Sequence, residues 1–136
     1  MTPRRAFETP GDAAAQASAL TTEDAAALWH LEELFWAGGL DSARSTTAKD
    51  AVMIIPYPVG ILQGDRTWQH LEQEKPWRSV EITERNAARR GSVAVLYYRV
   101  SAERADAPIC EALCASTYVQ DDGKWLRMSH QRTPIA

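Results

Sequence analysis

Residues Ser116 to Pro134 read "STYVQDDGKWLRMSHQRTP", two alternating runs on either side of the turn "DDG". Alternating segments joined by an Asp-Gly turn are the pattern of an antiparallel β-hairpin. Working back from this hairpin, the alternation begins at Trp77. Strands are expected in "WRSVEITERN", "SVAVLYYRVSAERA", "PICEALCASTYVQ" and "KWLRMSHQRT". The connections "ARRG", "DAP" and "DDG" are as short as antiparallel neighbours require.

Upstream the period is helical. "TTEDAAALWHLEELFWAGG" offers Thr21 or Thr22 as N-cap, Glu23 and Asp24 in the first turn, and a Gly38-Gly39 stop. A short helical piece, "LDSARSTTA", leads into "AVMIIPYPVGILQG", which reads as strand, turn and short return strand. "DRTWQHLEQE" is a third helix, closed by Pro76. Helices followed by a meander predict an α+β domain, with three N-terminal helices packed on one face of a curved, mainly antiparallel sheet. Residues 1–19 mix Pro, Gly, Ala and charge without period and predict a mobile arm. A single domain is expected over residues 20–136.

A chain of 136 residues, 45% of them hydrophobic, is long enough for one core. Fifteen basic residues against eighteen acidic give a net charge of −3 with no basic stripe, which argues against a nucleic-acid partner. The N-terminal stretch contains no unbroken apolar run of the kind a secretory signal or membrane span needs, so a cytoplasmic protein with no membrane partner is expected. Cys110 and Cys114, four apart on one strand, stand roughly 13 Å from each other, beyond disulfide reach. His30, His70 and His130 lack metal-ligand spacing, and there is no phosphate-binding glycine loop and no "GxSxG" elbow. No metal and no cofactor are expected.

The candidate site follows from which side chains face the space between helices and sheet. On the first helix Leu20, Leu28, Trp29, Leu31, Phe35 and Trp36 share a broad face, and Glu32 falls in its middle. A carboxylate there must be paired, protonated or open to water, because burying it bare costs several kcal/mol. Glu33 and His30 lie towards solvent. In the second sheet strand Ala94, Leu96, Tyr98, Val100 and Ala102 form one apolar face. The other face, with Val93, Val95 and Tyr97, is also apolar enough to suggest a partner subunit. In the last strand Leu126, Met128 and His130 share a face, opposite Trp125, Arg127, Ser129 and Gln131. Glu32 and His130 are thus expected to meet, the carboxylate raising the imidazole pKa, as a general acid/base pair.

The hairpin "STYVQDDGKWLRMSHQRTP" and the segment "PYPVGILQG" resemble the nuclear-transport-factor-2-like superfamily, within it the polyketide-cyclase-like and ketosteroid-isomerase-like bacterial proteins. The resemblance runs from about Thr21 to Pro134 and implies a cone-shaped α+β barrel. Where the ketosteroid isomerases carry a basic aspartate in "DPVG", this chain has Tyr57 in "YPVG". A phenol with a pKa near 10 donates hydrogen bonds but is a poor base at neutral pH. The expected function is a homodimer, paired through the outer sheet face, with a pocket for a small hydrophobic or aromatic molecule. Trp29, Trp36, Tyr57 and Tyr98 would bind it, and Glu32 and His130 would serve a cofactor-independent isomerisation, cyclisation or dehydration. The alternative is a noncatalytic ligand-binding or dimeric interaction module.

Overall fold

Thr21 opens the first helix. Its side chain accepts the Asp24 backbone N–H at 3.0 Å, and Glu23 and Asp24 face the positive end of the helix. This helix, α1 (Thr22–Ala37), stops at Gly38, where the N–H returns to the Leu34 carbonyl and a Cβ would stand only 2.6 Å from that oxygen. The structure is a computed structural model describing residues 20–135, so the arm expected over residues 1–19 lies outside the described residues. After α1 come α2 (Leu40–Ser45), β1 (Thr47–Ile55), β2 (Gly60–Gln63), α3 (Asp65–Gln73), β3 (Ser79–Arg90), β4 (Val93–Glu103), β5 (Cys110–Asp121) and β6 (Lys124–Pro134).

The six strands form one sheet in the order β2-β1-β6-β5-β4-β3. The β1–β6 pair is parallel and the other four pairs are antiparallel. The sheet is therefore mixed, and it stays open: β2 and β3 are its two edges and do not pair into a barrel. The turn between β5 and β6 is the Asp122-Gly123 pair, with φ of 51° and 75°, the two positive values that a type I′ hairpin needs.

Strict alternation holds along β4. Ala94, Leu96, Tyr98, Val100 and Ala102 all face inward and are buried, as the period of two predicts. Opposite them on β5 the inward set is Ala112, Cys114, Ser116 and Tyr118. Each large aliphatic side chain buried this way contributes roughly 1.5–3 kcal/mol. From α1, Leu28, Phe35 and Trp36 close the core, with Leu20, Trp29 and Leu31 partly buried against it. His30 and Glu33 are exposed, on the side the helical period gives them.

Alternation fails on β6, and the failure shapes the site. Tyr118 pairs with Arg127 but Thr117 pairs with Ser129, so Met128 has no partner on β5. This one-residue bulge shifts the facing of the strand at its middle. Trp125 and Arg127 face inward before the bulge and His130 after it. The expectation that Leu126 and Met128 carry His130 inward, with Arg127 turned out, is corrected accordingly: Leu126 and Met128 are only partly buried, and Arg127 is fully buried.

Candidate functional site

Glu32 is completely buried at the helix–sheet interface, and four side chains hydrogen-bond to it. Oε1 accepts from the Tyr118 hydroxyl at 2.6 Å and from Arg127 Nη2 and Nε at 3.2 and 3.3 Å. Oε2 accepts from the hydroxyls of Tyr98 and Ser116. Arg127 is spent on the same centre: Nη1 donates to Thr47 Oγ1 at 2.8 Å, and Nη2 to the Leu31 carbonyl at 3.1 Å and to Tyr118. Its guanidinium also lies 4.0 Å over the Phe35 ring. Burial on its own raises a carboxyl pKa. Here the Arg127 charge and the His130 and Ser116 contacts outweigh it and hold Glu32 well below the usual carboxylate range.

His130 does meet Glu32, with Nδ1 3.6 Å from Oε2, but Ser116 stands between them. Arg132 Nε, which can only donate, points at His130 Nε2 at 3.0 Å, so Nε2 keeps its lone pair and the ring proton resides on Nδ1. Nδ1–H then donates to Ser116 Oγ at 2.7 Å, and Ser116 passes its own hydrogen to Glu32. The ring is neutral. Burial lowers its pKa to about 4, with the Arg132 and Arg127 charges pushing the same way; together these outweigh the opposing pull of Glu32. The expected rise in the imidazole pKa is reversed because burial of the ring, with two guanidinium groups beside it, outweighs the carboxylate.

The remaining sequence-derived candidates divide. Tyr98 is buried and accepts Trp36 Nε1–H at 2.8 Å while donating to Glu32, and burial raises its pKa well above the usual phenol value. Trp29 meets the Tyr98 ring edge-on at 5.6 Å and lies under the Arg85 guanidinium, 5.0 Å from the ring centre. Tyr57 is 93% exposed on its turn. Cys114 is a buried thiol whose pKa burial pushes up to about 12, and both cysteines are free.

Two cavities flank this centre. One, of about 240 Å³, is lined by Phe35 and Trp36 of α1, Leu71 of α3, Trp77, Arg104 and Arg132. The other, of about 280 Å³, lies beyond Trp77 towards the Tyr57–Pro58 turn and shares Glu74, Trp77, Arg104 and Arg132 with the first. Trp36 and Tyr57 thus border the two cavities, whereas Trp29, Glu32, Tyr98 and His130 line neither. Trp36 and Trp77 stand 5.5 Å apart at 52°, and Arg132 lies 4.1 Å over the Trp36 ring. Trp36 and Arg132 therefore each have two sides. Trp36 Nε1 and Arg132 Nε serve the buried network, while the indole ring and the guanidinium border the first cavity.

Ser116, Tyr118 and Arg127 escaped sequence reasoning, as did Trp77, Arg104 and Arg132. For Ser116 and Tyr118 the signal was present in the alternation Ala112, Cys114, Ser116, Tyr118. For Arg127 the bulge hid it. Among the described residues no group of three or more His, Cys, Asp or Glu gathers as a metal site, and no helix is long and apolar enough to cross a membrane.

No protein-family model matches the chain, and no curated protein matches it in sequence. Solved structures do match. A proposed ketosteroid isomerase from Parabacteroides distasonis is 13% identical, covering 88% of this chain and 96% of its own, with a TM-score of 0.71. A nuclear-transport-factor-2-like protein of unknown function from Pseudomonas putida is also 13% identical, covering 85% and 89%, with a TM-score of 0.71. A proposed calcium/calmodulin-dependent kinase II association domain from Exiguobacterium sibiricum, again 13% identical, covers 87% and 97% at a TM-score of 0.70. At such identities the likeness is one of fold: the chain has the nuclear-transport-factor-2-like fold.

Proposed function

On this nuclear-transport-factor-2-like fold, we propose a small-molecule-binding protein that takes a small aromatic ligand in the cleft beside Trp36 and Trp77. The observation that carries the reading is the division of labour around Glu32. Its two oxygens accept from Tyr98, Ser116, Tyr118 and Arg127, and His130 is engaged at both nitrogens, so neither offers a free lone pair to a substrate. A general base needs such a lone pair and a pKa near the working pH. Glu32 and His130 instead hold Trp36 and Arg132 at the wall of the cleft. This favours the noncatalytic ligand-binding reading over isomerisation, cyclisation or dehydration by the same pair.

Titration of the protein with 2-naphthol is expected to quench tryptophan fluorescence saturably. Trp77→Ala should weaken that binding roughly tenfold, the scale of one lost aromatic wall. Absence of saturable quenching would remove the ligand-binding reading.

Self-association through the outer face of the cone-shaped sheet is the second part of the proposal. Val93, Tyr97 and Leu113, on neighbouring strands β4 and β5, are 39%, 45% and 52% exposed there. Apolar side chains clustered on one sheet face are more often covered than left in water. The similar protein named as an association domain agrees with this. Sedimentation at micromolar concentration should give a dimer, and Tyr97→Asp a folded monomer that loses the stability contributed by association. A wild-type monomer would contradict it.

A further inference from the structure

The cleft carries an uncompensated positive charge. Where the two cavities meet, Arg104 Nη2 binds Glu74 Oε2 at 2.6 Å, and Glu74 Oε1 binds His70 Nε2 at 3.1 Å, so the one carboxylate at the junction is already committed. The Arg104 guanidinium carbon stands 3.5 Å from the centre of the Trp77 ring, and its buried Nε has no hydrogen-bond partner among the described residues. Arg132 donates through Nε to His130, and its two terminal nitrogens likewise have no hydrogen-bond partner among the described residues. Across both cavities Arg104, Arg132 and Lys75 face Glu74 and Glu72, and Glu72 is itself taken by Arg44 at 2.7 Å, so positive charge remains in excess. In a half-enclosed aromatic site a charge of this kind is stabilised by an anion, and the planar fork of a guanidinium fits a carboxylate through two parallel bonds.

We propose that the cleft selects a small aromatic carboxylate, whose anion pairs with the terminal nitrogens of Arg132 while its ring packs against Trp36 and Trp77. The proposal rests on the ligand-binding reading above and names the class of ligand. Size agrees with it: cavities of about 240 and 280 Å³ fall just below the roughly 300–1,000 Å³ of sites for drug-sized ligands, which leaves room for one or two rings. Arg132 is held for this task. Nε is fixed by His130, which is fixed by Ser116 and Glu32, so the fork is oriented before any ligand arrives.

The test is calorimetric titration of the full chain with benzoate and 2-naphthoate, each against its uncharged amide. At low salt the carboxylates should bind at least tenfold more tightly than the amides, and the gap should narrow at high salt. Arg132→Met should lose at least tenfold for the carboxylates and several-fold less for the amides, while Arg132→Lys should recover part of the loss. Amides binding as tightly as carboxylates to the wild type would overturn the anion proposal and leave the aromatic cleft standing. No binding of either would overturn both. The wild-type comparison decides the matter even where Arg132→Met does not fold.

Discussion

Arg127→Met is expected to lower the unfolding free energy by about 3–5 kcal/mol, the usual cost of removing one partner of a buried ion pair. Against a typical total of about 5–15 kcal/mol, that is at least about a fifth of the stability of a domain this size. The cause is specific. Without the guanidinium, Glu32 must either stay ionised in the core without its main counter-charge or take up a proton, and the Leu31 carbonyl and Thr47 hydroxyl lose their donor. Methionine fills much of the volume and packs on Phe35, so the loss reports charge rather than a hole. Adding Glu32→Gln should recover part of it, because both charges then leave together, and the double variant should be more stable than the sum of the single losses predicts. Urea unfolding at pH 7 gives all four corners of this cycle. Strict additivity would mean that Glu32 and Arg127 do not act as a unit.

Acidification should destabilise the protein through His130 by roughly 3 kcal/mol between pH 7 and pH 4. Its pKa falls from the ordinary 6.5 to about 4 in the folded protein, and each unit is worth about 1.36 kcal/mol. The unfolded chain takes up a proton below about 6.5, whereas the folded chain resists until about 4, so the unfolded state binds more protons in that window. Stability must then rise with pH across it. Glu32 adds a later phase of the same sign. Its folded pKa is depressed, so its contribution is fully present well above the unfolded value of 4.5 and is lost as pH falls through the lower folded value. Urea midpoints at pH 7, 5.5 and 4 should fall steadily, with a flatter dependence in His130→Gln. A wild-type midpoint that does not change between pH 7 and 4 would contradict a neutral, buried His130.

The outline of the fold was legible because two periods run through the chain almost undisturbed. The helical face of α1 placed Leu28, Phe35 and Trp36 in the core with Glu32 among them, and a carboxylate in that position announced a partner before any was known. The alternation of β4 and β5 was equally plain. The partner itself was not legible, because Arg127 lies one residue before a bulge. Counting by twos from Leu126 turns it to solvent, and only the unpaired Met128 reveals that the facing shifts. His130 was placed inward for a reason that does not hold, and the same bulge rescues it. Tyr57, singled out by its place in "YPVG", is largely exposed and borders the second cavity at its turn. The cleft was hidden for a different cause: Trp77 and Arg104 lie in connections, where no period points anywhere, and Arg132, two residues past His130 on the same face of β6, is a charged residue that reads as solvated near the strand's end. Periodicity identifies faces of regular elements, whereas this candidate site sits where regularity ends.

The whole site turns on Glu32 being an ionised, fully engaged structural centre rather than a base awaiting substrate. The most direct test of this is the ¹³Cδ chemical shift of Glu32 followed by NMR as pH is lowered, assigned by comparison with Glu32→Gln. The shift is expected to stay at its ionised value through the ordinary carboxyl value of 4.5 and to move only at more acid pH or on unfolding. A Glu32 that titrates at or above 4.5 in the folded protein would contradict it.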